Sequence, residues 1–123
     1  MEAVFTDREL DIMGVLWDRG PSTVAQVRDH LKDPLAYTTV LSLLRTMEDK
    51  GHVAHVEEGR AFRYRAVVEK GDARVSALNR ITRKLFGGSQ EMLLSHLVSD
   101  HGLSEEEMER IKRLLEERLG GDE

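Results

Sequence analysis

The spacing of apolar residues changes at Gly51, and that change constrains the fold more than any other feature of the chain. Before it, apolar residues recur every three or four positions. Leu10, Met13, Leu16 and Trp17 form one stripe, Val24, Val27 and Leu31 a second, and Val40, Leu43, Leu44 and Met47 a third. This is the repeat of amphipathic helices. After Gly51, in "HVAHVEEGRAFRYRAVV", Phe62, Tyr64 and Ala66 alternate with Arg63 and Arg65, as in a half-buried strand. Two β-prone runs flank Glu57-Glu58-Gly59-Arg60, so the segment reads as a β-hairpin with a Gly-containing turn and a basic outer face. From about Glu69 the helical period returns, with Val75, Leu78, Ile81 and Leu85 on one stripe.

The helix boundaries are punctuated by capping signals. Thr6 with Glu9, Thr23 with Gln26 and Ser104 with Glu107 each match the capping box, in which two side chains and two backbone amides satisfy one another. Gly20-Pro21, Pro34 and Gly51 stop the first three helices. Gly87-Gly88 ends the fourth, Ser89 starts a fifth that carries Met92, Leu93, Leu94, Leu97 and Val98, and the last carries Met108, Ile111, Leu114, Leu115 and Leu119. The predicted order is three helices, a hairpin, then three helices. The fold class is mainly α with a small β-hairpin: a winged helix-turn-helix domain over residues 1–68 and a helical domain over 69–123.

Composition narrows the chemistry. No cysteine is present among the 123 residues, which excludes disulfides, thiolate metal sites and cysteine nucleophiles. No apolar run reaches the roughly 18 residues of a membrane span, and the start "MEAVFTDREL" does not read as a signal peptide, so a cytoplasmic location is expected. The net charge is −5, and neither half is basic: residues 1–66 hold nine Lys/Arg and eleven Asp/Glu, residues 67–123 nine and twelve. Any nucleic-acid site must therefore be local, because phosphate binding is driven by cations. "GRAFRYR" supplies one cluster, Arg60, Arg63 and Arg65.

The third helix carries the sharpest signal. With residues placed at about 100° steps, Val40, Leu43, Leu44 and Met47 fall within about 50° of one direction. Thr38, Ser42 and Arg45 lie on the opposite side, flanked by Thr39, Thr46 and Leu41. Short hydroxyls let a helix backbone approach base edges, a Thr methyl or Leu41 fits a thymine methyl, and Arg45 reaches guanine or phosphate. Tyr37, Thr38 and Thr39 occupy the first turn, where free amides and the helix dipole favour phosphate. A helix of this kind before a basic hairpin is the arrangement in which the third helix enters the major groove and the wing follows the backbone. Arg60 and Arg63 are assigned to phosphate contacts; the alternative is three solubilising charges on an exposed hairpin beside Glu57 and Glu58, a reading that fits Arg65 especially. The competing reading is an ordinary solvated face.

Other chemistry lacks support. The sequence holds no Gly-rich phosphate loop, no GxSxG and no paired acids at catalytic spacing, so no catalytic residue, cofactor or metal ligand is assigned. His52, His55, His96 and His101 read as surface or packing residues. The last helices read as dimerisation elements, since a winged helix reads one half-site and a two-fold operator needs two.

Five segments resemble the penicillinase-repressor family of bacterial regulators (BlaI/MecI, with the CopY branch). They are "FTDRELDIMGVLWDRG", "STVAQVRDHL", "LAYTTVLSLLRTMEDKGHV", "EGRAFRYRAVV" and "LFGGSQEMLLSHLVSDHGLSEEEMERIKRLLEER". The resemblance implies a homodimer on operators built around a TACA/TGTA inverted repeat, blocking transcription until a stress or cell-wall antibiotic signal relieves it. Its base-contacting positions match Thr38, Thr39 and Ser42 here. Family members often carry a basic residue at Thr38 or Leu41, and this chain does not. The antibiotic-responsive members are cleaved at an Asn-Phe bond after a membrane sensor protease responds; the corresponding region here reads "LLSHLV". The cysteine hook of the copper-responsive branch is absent.

The expectation is a dimeric repressor of double-stranded operator DNA, with a sensor protease as a further partner. Thr38, Thr39, Ser42 and Arg45 read bases. Tyr37, Arg60 and Arg63 contact phosphates. Leu85, Met108, Ile111, Leu114 and Leu115 pack the dimer. The alternative is a winged-helix module whose third helix faces a protein.

Overall fold

The computed structural model describes residues 3–100 and 102–121. They form six helices and a small sheet: α1 (Asp7–Arg19), β1 (Ser22–Thr23), α2 (Val24–His30), α3 (Tyr37–Asp49), β2 (Val53–Glu58), β3 (Ala61–Ala66), α4 (Lys70–Leu85), α5 (Gln90–Asp100) and α6 (Glu105–Gly120). The chain divides into two compact units, the first ending at Leu78 and the second beginning at Asn79, so the division falls inside α4. His101 lies outside the described residues.

All three capping boxes form, each with both reciprocal hydrogen bonds: Thr6 with Glu9, Thr23 with Gln26, and Ser104 with Glu107. Ser89 caps α5 by accepting from the Met92 amide at 3.0 Å. Gly20 and Gly51 close α1 and α3 at φ of 81° and 83°, a region that side chains with a Cβ avoid. The hairpin turns through Gly59 at φ 65°, with Glu58 paired to Ala61. Glycine at the first of two central positions fits a type II′ turn, whose twist matches that of the strands.

The sheet has three strands in the order β1-β3-β2, all antiparallel. The sequence reading has only two. Ser22 pairs with Tyr64 and Thr23 with Arg63, and two residues are too short to show a period of two.

The core of the first unit joins Ile12, Met13, Val15 and Leu16 of α1, Val24 and Val27 of α2, Val40, Leu44 and Met47 of α3, and Val53 and Tyr64 of the hairpin. The α1 stripe differs from expectation. Leu10 is exposed, while Ile12 and Glu9 are buried. The inward face begins one turn ahead of Met13, and that place is occupied by a carboxylate, which apolar patterning does not register.

Glu9 is only 1% exposed. It accepts from the Thr6 amide at 2.8 Å and from Lys50 Nζ at 3.0 Å. Burial alone would raise its pKa. The Thr6 amide and the Lys50 ammonium more than offset this and hold the carboxyl below its usual range. Lys50 is the C-cap of α3, so the ion pair joins the start of α1 to the end of α3. Trp17 Nε1 donates to the Val68 carbonyl at 2.9 Å, fastening α1 to the segment after the wing. His52 is buried against Phe5, with ring centroids 4.5 Å apart, and its Nδ1 has no hydrogen-bond partner among the described residues.

Candidate nucleic-acid interface

The inward side of α3 is set by Val40, Leu44 and Met47, all fully buried, with Leu43 and Leu41 half-buried against the core. That anchoring fixes which residues face out. Tyr37, Thr38, Thr39, Ser42, Arg45 and Thr46 are all exposed. Leu41 thus turns more toward the core than the helical projection places it, leaving hydroxyls and Arg45 as the outward set. Helix α3 has no side-chain cap; its N-cap is Ala36, unlike the boxed starts of α1, α2 and α6. The first-turn amides therefore stay unpaired by any side chain.

Two contacts hold α3 against its neighbours. Glu48 accepts from the His55 amide at 3.2 Å and lies 2.6 Å from His55 Nδ1. A carboxylate only accepts, so Nδ1 carries the proton. The His55 ring packs on Phe62 and Tyr64, with centroids 4.7 and 5.2 Å away. Tyr64 is buried, which pushes its hydroxyl pKa up, and the nearby Glu48 carboxylate adds to that. At the other end of α3, the Arg28 guanidinium of α2 sits 5.9 Å from the centre of the Tyr37 ring. This is within cation–π range. The sequence reading did not select Arg28, because nothing in the spacing of two separate helices marks them as neighbours.

The wing arginines differ from one another. Arg60 occupies the turn and is exposed, and Arg65 is exposed on the outer face of β3. Among the described residues neither has an ion-pair partner, and the same holds for Arg45. Arg63 is engaged. Its Nε and Nη2 donate to the two carboxylate oxygens of Glu58, and its Nη1 donates to the Pro21 carbonyl at 3.1 Å and to Gln26 Oε1 at 3.4 Å. The Arg63 hydrogen bond holds the Glu58 carboxyl below its usual range. The structure thus leaves Tyr37, Thr38, Thr39, Ser42 and Arg45 exposed on α3, with Thr38, Ser42 and Arg45 on the side away from the core. It leaves Arg60 without an ion-pair partner among the described residues at the wing turn, and places Arg63 in a network within the protein.

The remaining predicted residues lie in the second unit. Leu85 is 75% exposed, Leu114 64%, and Met108 and Leu115 are also exposed, while Ile111 is partly covered. Helix α6 has no buried residue. Between α5 and α6, Val98, Met108, Ile111, Leu115 and Leu119 line a groove of about 260 Å³. Among the described residues no group of three or more His, Cys, Asp or Glu side chains is placed to hold a metal ion. No described helix is long and apolar enough to cross a membrane.

Comparison with known proteins agrees with this geometry. The sequence model described as "Penicillinase repressor" matches residues 5–117. The chain belongs to the penicillinase-repressor family. It is 34% identical over 120 residues to the transcriptional regulator BlaI of Mycobacterium tuberculosis, covering 94% of this chain and 85% of that protein. It is 19% identical over 112 residues to the methicillin resistance regulatory protein MecI of Staphylococcus aureus, covering 89% and 91%. Among solved structures, the DNA-binding domain of the repressor BlaI superposes with a TM-score of 0.51 at 26% identity, covering 58% of this chain and 93% of that domain. A MarR family protein from Bacillus stearothermophilus also gives 0.51 at 26% identity, covering 97% and 76%. The penicillinase-repressor family is one of winged-helix transcriptional repressors, not of enzymes.

Proposed function

We propose that the protein binds, as a homodimer, an inverted-repeat operator of the TACA/TGTA kind and represses transcription until a stress or cell-wall antibiotic signal acts. In this reading, residues 1–68 bind DNA and 69–123 dimerise, in the cytoplasm. The observation that carries the reading is the division of α3. Val40, Leu44 and Met47 are fully buried, while Thr38, Thr39, Ser42 and Arg45 are exposed, and Arg60 of the wing is exposed with no ion-pair partner among the described residues. Thr38, Thr39, Ser42 and Arg45 read bases, and Tyr37 and Arg60 contact phosphates; Arg63, assigned to phosphate from the sequence, is engaged with Glu58. The homodimer is supported by the exposed apolar residues Leu85, Met108, Leu114 and Leu115, with Ile111 beside them. Release by a sensor protease would need a cleavage site other than Asn-Phe.

The test is fluorescence anisotropy on the DNA upstream of the protein's own gene at two salt concentrations, beside a scrambled duplex and an Arg45→Ala variant. Tight, salt-sensitive, selective binding that Arg45→Ala weakens is the expected result. Weak binding, equal on both duplexes and insensitive to salt, would favour a protein partner for α3.

A further inference from the structure

By sequence Arg60 and Arg63 are the wing's phosphate contacts, but the structure separates the two. Arg63 has five N–H donors, and four are committed within the protein: two to Glu58, one to the Pro21 carbonyl and one to Gln26 Oε1. Gln26 Oε1 also accepts from the Thr23 amide at 2.9 Å, closing the capping box of α2. The backbone of Arg63 pairs with Thr23 in the same place. A single guanidinium thus ties together the residue before β1, the head of α2 and both strands of the wing. Turning it toward a phosphate would dismantle that junction and leave the Glu58 carboxylate facing the DNA unpaired. Arg65 stands two residues along on the same outer face of β3, opposite the small Ala54. It is exposed and without an ion-pair partner among the described residues.

We propose that Arg63 is a positioning residue that fixes the wing against the head of α2, and that Arg65, with Arg60, supplies the wing's phosphate contacts. This rests on the DNA-binding reading above. It reverses the assignment made from the sequence, in which Arg63 contacts phosphate and Arg65 is the arginine that best fits a solubilising charge.

The experiment is the salt dependence of binding by the full chain, on the upstream duplex and on a scrambled one, since the phosphate term is independent of sequence. Each phosphate contact contributes about 0.9 to the slope of log K against log salt. Arg65→Ala should lower the slope by about that amount per wing and leave the melting temperature unchanged, and Arg65→Lys should restore it. Arg63→Lys keeps the charge but cannot form the fork. It should weaken binding without changing the slope, and it should speed hydrogen exchange of the β2, β3 and β1 amides in the free protein. Near wild-type affinity and exchange in Arg63→Lys, or an unchanged slope in Arg65→Ala, would overturn the assignment. A flat salt dependence in the wild-type protein would instead overturn DNA binding itself, and the Arg65 role with it. The exchange measurement would still decide the Arg63 role.

Discussion

Glu9 and His52 show how a residue's surroundings decide its part in stability. Glu9 closes the α1 capping box and also takes the Lys50 ammonium. Glu9→Ala should cost about 2 kcal/mol, a cap loss plus a half-exposed ion pair, measured by urea unfolding. His52 titrates from the other direction. Burial disfavours its charged form and lowers its pKa below 6.5; the Glu9 carboxylate only partly opposes this, and Lys50 adds to the lowering. The folded protein therefore binds that proton less readily than the unfolded chain does. Stability is full above the unfolded pKa and falls as the pH drops below it, and Glu9, also lowered, adds a second loss at more acid pH. The melting temperature should decline from about pH 7.5 to 5.5, and His52→Gln should flatten that decline. An identical decline in the variant would remove His52 as its source.

At the scale of elements, α3 makes the sharper prediction. Thr38→Ala and Ser42→Ala should each change discrimination at particular base pairs by about 1–3 kcal/mol, read by competition with single-base operator variants. Equal losses on cognate and scrambled DNA would show that these hydroxyls do not read sequence. Helix starts and stops were legible because each depends on a few adjacent residues: Thr6 with Glu9, Ser104 with Glu107, and the positive-φ Gly20 and Gly51. The hairpin was legible from the alternation of Phe62, Tyr64 and Ala66. β1 was not, because Ser22 and Thr23 become a strand only through Tyr64 and Arg63, some forty residues away. The same limit hid the burial of Glu9 and the network around Arg63. Both depend on partners from other elements, and a charged side chain gives the same letter whether it is paired or free. The outward set on α3 was legible, since one helix determines it, but its neighbour Arg28 was not.

For the whole molecule, the balance lies between a first unit with a closed core and a second that exposes its apolar side chains. Leu85, Leu114 and Leu119 are each more than half exposed, an arrangement that in water favours association. Sedimentation equilibrium should show a dimer, and the melting temperature should rise with protein concentration. Leu115→Asp should weaken the dimer by about 2 kcal/mol or more, roughly thirtyfold, and weaken operator binding with it. A monomeric wild-type protein that still binds an inverted repeat tightly would require dimerisation on the DNA.

The split faces of α3 also bear on how such a regulator changes over generations. The buried residues that anchor the helix, Val40, Leu44 and Met47, are distinct from the exposed Thr38, Thr39, Ser42 and Arg45. Because those four are exposed, the stability threshold that culls most mutations filters substitutions there less than in the core. With the base-reading roles proposed for these four residues, a gene duplicate would acquire a new target by altering four surface letters while inheriting its scaffold unchanged. The helix separates vocabulary from grammar.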